Sequence, residues 1–109
     1  MVGANFERKL RDKLRVEGWL VFRSAGSHGA DLIALKPKEY MIVEVKSTSK
    51  NRLRTSINQK GKEQFDMLNE YAKKGFNVYY YVWWKGKRLD WSKYKLPLKP
   101  YPTFVCTIK

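Results

Sequence analysis

Three charged residues in two short apolar runs carry the chemistry this sequence can perform. Residues 30–35 and 41–46 are each of strand length, and each holds charge that such a run does not tolerate without a reason: Asp31 in the first, Glu44 and Lys46 in the second. Side chains alternate along a strand, so Glu44 and Lys46 share one face while Val43 and Val45 take the other. The intervening residues 36–40 include Pro37 and have the length of a hairpin connection. Pairing the two strands can therefore bring Asp31 close to Glu44 and Lys46. Two carboxylates and an ammonium at a sheet edge can hold a hard cation beside a group that orients or moves a proton. That is the chemistry of phosphodiester cleavage.

The elements that must position these residues read as a mixed α/β chain. A helix capped by Gly3 or Asn5 is expected to run to about Glu17, with Phe6, Leu10 and Leu14 on one stripe and Gly18 ending it. A strand over 19–23 follows, then the small, glycine-bearing loop 24–29 leads into the Asp31 strand. Beyond the Glu44 strand, 47–55 is polar and basic and reads as an exposed loop. The spacing of Phe65, Leu68, Tyr71 and Ala72 predicts a second helix over 56–74, stopped by Gly75. Residues 76–84 form a strand that is apolar on both faces, and so central or covered by a partner. A turn at 85–87, a basic, aromatic, proline-bearing excursion over 89–102 and a last strand over 103–108 complete the chain. The expected fold is α/β, a mixed sheet with helices against it.

Composition bounds the partner. The chain has 109 residues, 43% of them hydrophobic and 15% aromatic, which suits one domain over 1–109 with a modest core. Lys and Arg number 23 against 10 acids, giving a net charge of +13, and the sequence pI is near 10.0. That surplus points to a polyanion, nucleic acid ahead of a membrane surface. A ribosomal or chromatin protein would carry the same charge, so charge names a partner class and no reaction. The one cysteine, Cys106, excludes an internal disulfide and reads as a small residue in an apolar run. No run has the length of a membrane span and no signal-peptide core leads the chain, so an intracellular protein is expected, in a prokaryote or virus-encoded and acting in the host cell.

In order along the chain stand Glu7-Arg8 in the first helix, Arg23 at a strand end, Ser24-Ala25-Gly26-Ser27, Asp31, and Glu44-Val45-Lys46. Each part alone is weak evidence, but the ordered set resembles the archaeal-type Holliday junction resolvases of the PD-(D/E)XK nuclease superfamily, in register over 5–84. Ala30 stands where the superfamily has proline before the aspartate. Proline there restricts only the backbone, and the carboxylate is supplied by Asp31.

The resemblance implies a restriction-endonuclease-like core and a metal-dependent, structure-selective endonuclease that resolves four-way DNA junctions. On that reading Asp31, Glu44 and the Val45 carbonyl hold Mg²⁺, with Mn²⁺ able to substitute. Lys46 orients or deprotonates water or neutralises developing charge, and Glu7 completes the metal site. Arg23, Ser24, Ser27 and His28 face phosphate, Arg23 and Ser27 as part of the catalytic set, and Gln64 resembles the glutamine that lies behind the site in the superfamily. Arg8, Lys9, Arg11, Lys50, Arg52, Arg54, Lys60 and Lys62 are expected on the DNA backbone. Trp91 could stack on an unpaired base or pin its own loop. Two other readings stand beside this one: a related nuclease on the same fold, of VRR-like, restriction or repair type, and a non-catalytic basic nucleic-acid-binding domain. Resolution needs two opposed nicks, so a homodimer is expected, with one apolar face of the 76–84 strand as its contact.

Overall fold

The computed structural model describes residues 2–24 and 30–107, and of residues 2–4 the backbone alone. Helix α1 (Val2–Val16) leads into strands β1 (Leu20–Arg23), β2 (Leu32–Lys36) and β3 (Glu39–Thr48). Strand β4 (Arg52–Arg54), helix α2 (Gln59–Lys73) and strands β5 (Val78–Trp84), β6 (Ser92–Lys95) and β7 (Thr103–Val105) follow. The main sheet has the order β1-β2-β3-β5-β6, and β4 pairs with β7 in a separate two-stranded ribbon. Only β3 and β5 run parallel, joined by the crossover through α2; the other pairs are antiparallel.

Each face of the sheet has its own core. Leu10 and Leu14 of α1 lie four residues apart and meet Val21, Leu32, Ala34, Met41, Val43 and Tyr81 on one face. Phe65, Leu68 and Ala72 of α2 meet Val78, Tyr80, Val82 and Trp84 on the other. Strand β5 thus alternates between two covered faces, and β6 takes its free edge, with Tyr80 level with Tyr94 and Tyr81 level with Lys93.

That arrangement overturns the expectation that a face of β5 docks a second copy. The strand is apolar all round because both faces are already packed within the chain. Three other boundaries also move. Gly3 and Asn5 lie inside α1 and do not cap it. The basic stretch after β3 is not loop alone, because Leu53 pairs level with Phe104 and β4 forms on β7. The excursion over 89–102 contains β6, and the final strand is short, Thr103–Val105, and outside the main sheet. Ile108 lies outside the described residues.

Two turns fix what the site needs. The β2–β3 connection is the pair Pro37-Lys38, with Lys36 level with Glu39 and Lys38 at φ 65°. Proline at the first central position and a left-handed residue at the second suit a tight reversal, and the register that follows sets Leu32 against Val43. At the start of α2 the Asn58 side chain accepts a hydrogen bond from the Gly61 N–H at 2.7 Å. That cap orients the helix that delivers Lys60 and Gln64. Replacing Asn58 with alanine leaves this N–H without its partner and is expected to cost about 1 kcal/mol of stability, measurable as a lower denaturant midpoint with an unchanged slope.

Candidate active site

Asp31 lies one residue ahead of β2, where the Ser24 N–H donates to the Asp31 carbonyl at 2.9 Å and extends the β1–β2 ladder. Continuing the β2–β3 register by one residue sets Asp31 level with Glu44. The Asp31 carboxylate accepts a hydrogen bond from the Val45 N–H at 2.8 Å. In an extended strand the N–H and C=O of one residue leave on the same edge, so the Val45 carbonyl faces the Asp31 side as well.

Glu44 is 2% exposed. Its Oε2 is 3.2 Å from the Lys46 Nζ, while its Oε1 is buried without a hydrogen-bond partner. Lys46 in turn donates to Gln64 Oε1 of α2 at 2.9 Å. Burial pushes the Glu44 carboxyl up to about 8. The Lys46 ammonium opposes that rise, and the neighbouring Asp31 carboxyl adds to it. Tyr80, level with Glu44 on β5, has its phenol raised by burial and then by the same two carboxylates. One ammonium therefore serves a buried carboxyl that has a second carboxyl beside it. The unpartnered Glu44 oxygen, the adjacent Asp31 and the Val45 carbonyl edge form an all-oxygen donor set that fits a hard divalent cation.

The other expected site residues divide. Glu7 and Arg23 come together, with Arg23 Nε 2.8 Å from Glu7 Oε1. The contact is an ion pair without a directed hydrogen bond, since that oxygen has no aligned donor. The structure does not bring Glu7 to Asp31 and Glu44: among the described residues no three His, Cys, Asp or Glu side chains converge as cation ligands. Ser24 is half-buried beside Asp31; Ser27 and His28 lie outside the described residues. Ala30 packs against the core on the α2 side, so the position before Asp31 is held by apolar contact without proline.

From Lys46 an open groove of about 780 Å³ runs along β4 to the start of α2. Lys46, Lys50, Arg52, Arg54 and Lys60 line it with Thr48, Asn58 and Gln64, and no acid does. Four of the cations expected on DNA are thus gathered with Lys46 into one channel. Lys62 is half-buried on α2, its Nζ 5.9 Å from the Tyr101 ring centre, and Arg8 and Lys9 are exposed on α1. The amide-bearing end of α2, Asn58 and Gly61, joins this groove without having been expected from the sequence. The N-cap asparagine before a turn with no acid was the signal for it.

Three comparisons bear on this arrangement. A family model described as the archaeal Holliday junction resolvase, Hjc, matches residues 1–99. The crossover junction endodeoxyribonuclease Hjc of Methanocaldococcus jannaschii is 50% identical over 50 residues, which cover 46% of this chain and 38% of that protein. The chain thus spans little more than a third of that relative's length in the match. The structure of Archaeoglobus fulgidus Hjc, a Holliday junction resolvase, superposes with a TM-score of 0.76 over 96% of this chain and 84% of that one. At 22% identity that likeness carries the fold.

The buried carboxyl makes stability depend on pH in a defined direction. A folded-state value near 8 against an ordinary 4.5 means the native protein holds a proton that the unfolded chain releases. The stabilisation from this group is full below about pH 4.5 and is lost as pH rises through about 8. Without divalent cation, the melting temperature of the wild type is expected to fall relative to Glu44→Gln between about pH 5 and 8. Millimolar Mg²⁺ should raise the wild type at the upper end and leave the variant unmoved. A difference between the two proteins that stays flat with pH, read by calorimetry, removes the electrostatic account.

Proposed function

Because the chain belongs to the archaeal Holliday junction resolvase family, we propose that it is a metal-dependent endonuclease that resolves four-way DNA junctions by paired nicks. The observation that carries this reading is the Asp31, Glu44 and Lys46 constellation standing at one end of a groove lined by cations.

Asp31, Glu44 and the Val45 carbonyl would hold Mg²⁺, with Mn²⁺ as a substitute. When bound, such an ion polarises the scissile phosphate and makes attacking water a stronger acid. The chain's own residues do the positioning. Gln64 accepts from Lys46 and pins its ammonium beside Glu44, where it can orient the attacking water or neutralise charge that develops on the phosphate. Glu7 engages Nε of Arg23 and leaves the two terminal nitrogens, on a side chain that is 63% exposed, to face a phosphate in parallel. In this geometry Glu7 acts by holding Arg23. Lys50, Arg52, Arg54 and Lys60 track the backbone of the duplex and carry no sequence information. A protein acting on DNA in this way works inside a cell.

Paired nicks require two such sites, and a two-fold dimer supplies them. Support for a dimer lies in the outer face of β1 and β2. Leu20 sits level with Leu35 and Phe22 with Ile33, and their exposures are 64%, 37%, 53% and 39%. Neither helix covers these four, and β1 is the edge of the sheet. Two protomers of charge +13 repel, so an apolar self-complementary patch of this kind is the contact that can hold them together.

Two outcomes are expected. Asp31→Asn and Glu44→Gln should each lower junction cleavage by at least about 100-fold, since even the outer partners of a metal site cost 10–100-fold when removed. Binding of the junction should stay within about twofold, because no basic group is removed. A four-way junction assayed beside linear duplex of the same sequence separates the readings: a general nuclease cuts both and a binder neither. For the dimer, Phe22→Glu is expected to turn a particle of twice 12.9 kDa into one of 12.9 kDa by light scattering. Its circular dichroism should be unchanged and its nicks unpaired. A wild type already monomeric at assay concentration defeats the dimer.

A further inference from the structure

On the α1 face of the sheet, away from the groove, aromatic rings and ammonium groups interleave. Tyr81, Trp91, Trp83 and Phe6 form a continuous run whose successive ring centres are 6.4, 5.3 and 6.5 Å apart. Lys9 of α1 places its Nζ 3.8 Å from the centre of the Trp83 ring. Lys85, just after β5, is 5.2 Å from Phe6, and Lys93 of β6 is 4.5 Å from Tyr79. Three separate elements thus deliver three lysines to one aromatic floor.

Nothing among the described residues neutralises them. The ion pairs formed there use Lys13, Arg23, Lys46 and Lys73. Asp90, beside Trp91 in the chain, lies 3.7 Å from Lys13. A ring face holds an ammonium weakly in place and leaves its charge intact. These lysines are therefore restrained in position while free to meet an outside anion. Because ammonium groups already cover ring faces, the surface suits phosphate better than a stacked base.

Its place relative to the hydrolytic site matters. Lys46 is level with Val82 in the β3–β5 register, and the next pair is Ser47 with Trp83. Tyr81 is level with Val45 and Trp83 with Ser47, so the floor flanks the level of Lys46 on the opposite face of the sheet from the groove. Duplex DNA is stiff over about 150 base pairs, and this molecule measures only 35 × 31 × 28 Å. A straight duplex lying in the groove cannot bend round to the other face. A branched molecule can present a second arm there.

We propose that Lys9, Lys85 and Lys93, set on this aromatic floor, hold the phosphate backbone of a second junction arm while the groove holds the first. The inference rests on the resolvase reading and adds to it the surface that distinguishes a junction from a duplex. The test is the triple variant Lys9→Gln, Lys85→Gln, Lys93→Gln, with fluorescence anisotropy on a four-way junction and on linear duplex of the same sequence across a salt series. Junction affinity is expected to fall roughly tenfold or more, and the slope of log K on log salt to shrink by about 0.9 for each phosphate no longer neutralised. Duplex affinity should hold. The matched arginine triple, which keeps charge and stacking, should restore junction binding to within about twofold. Equal losses on junction and duplex, no loss on either, or failure of arginine to rescue each overturns the proposal. A wild type that binds and cuts junction no better than duplex overturns the resolvase reading itself, and this inference with it.

Discussion

One placement constrains everything else: the Glu44 carboxyl sits on an inner face of a central strand, 2% exposed, with one oxygen unpartnered. Burying a carboxylate costs several kcal/mol unless charge and hydrogen bonds compensate, and here compensation is partial. Lys46 supplies one ammonium, which also donates to Gln64, while Asp31 stands beside the same carboxyl. Left alone, the group gives up its charge and takes a proton. A hard cation, as proposed, would relieve the conflict for both carboxylates at once. The stability to tolerate that conflict comes from the two apolar clusters that clamp the sheet from either side.

Parallel pairing of β3 with β5 decides where the substrate can go. The crossover through α2 packs one helix over the Glu44 face and points its N-terminus at the strand end, so Lys46, Gln64, Lys60 and the β4 cations converge from three elements. The β4–β7 ribbon is the device that makes a channel from what would otherwise be a floppy basic loop, because Leu53 and Phe104 anchor it to the core while Arg52 and Arg54 stay exposed. Asn69 contributes to the same end, exchanging two hydrogen bonds with the Leu98 backbone and holding the C-terminal excursion against α2.

The legible parts of the chain were those set by local rules. Period-two alternation and a proline turn predicted the Asp31, Glu44 and Lys46 pairing, and helical spacing predicted both helices with their inward stripes. What sequence reading missed depends on contacts distant in the chain. Strand β4 has three residues and pairs about 50 positions away with β7, so no local signal distinguishes it from loop. The all-apolar pattern of β5 has two causes that look alike in sequence, an intermolecular face or a strand covered on both sides, and only the packing of α1 and α2 on its two faces separates them. Glu7 sits in the expected helix, yet its partner is Arg23, a pairing that α1 and β1 create by meeting in space.

The distribution of acids shows how a net charge of +13 is made useful. Glu17 and Asp90 approach Lys13, Glu70 approaches Lys73, Asp66 accepts from the Tyr101 hydroxyl and Glu63 from Gln59. None of these lies on the groove lining. The groove lining is thereby left with cations and no acid. Phosphate contacts are blind to sequence, so field strength alone does not tell a junction from a duplex. On the proposed reading selectivity comes from geometry: two charged surfaces on opposite faces of the sheet would reward a substrate that occupies both, as a branched one can. The same charge opposes self-association, which is why the proposed dimer is placed on the exposed apolar residues of β1 and β2.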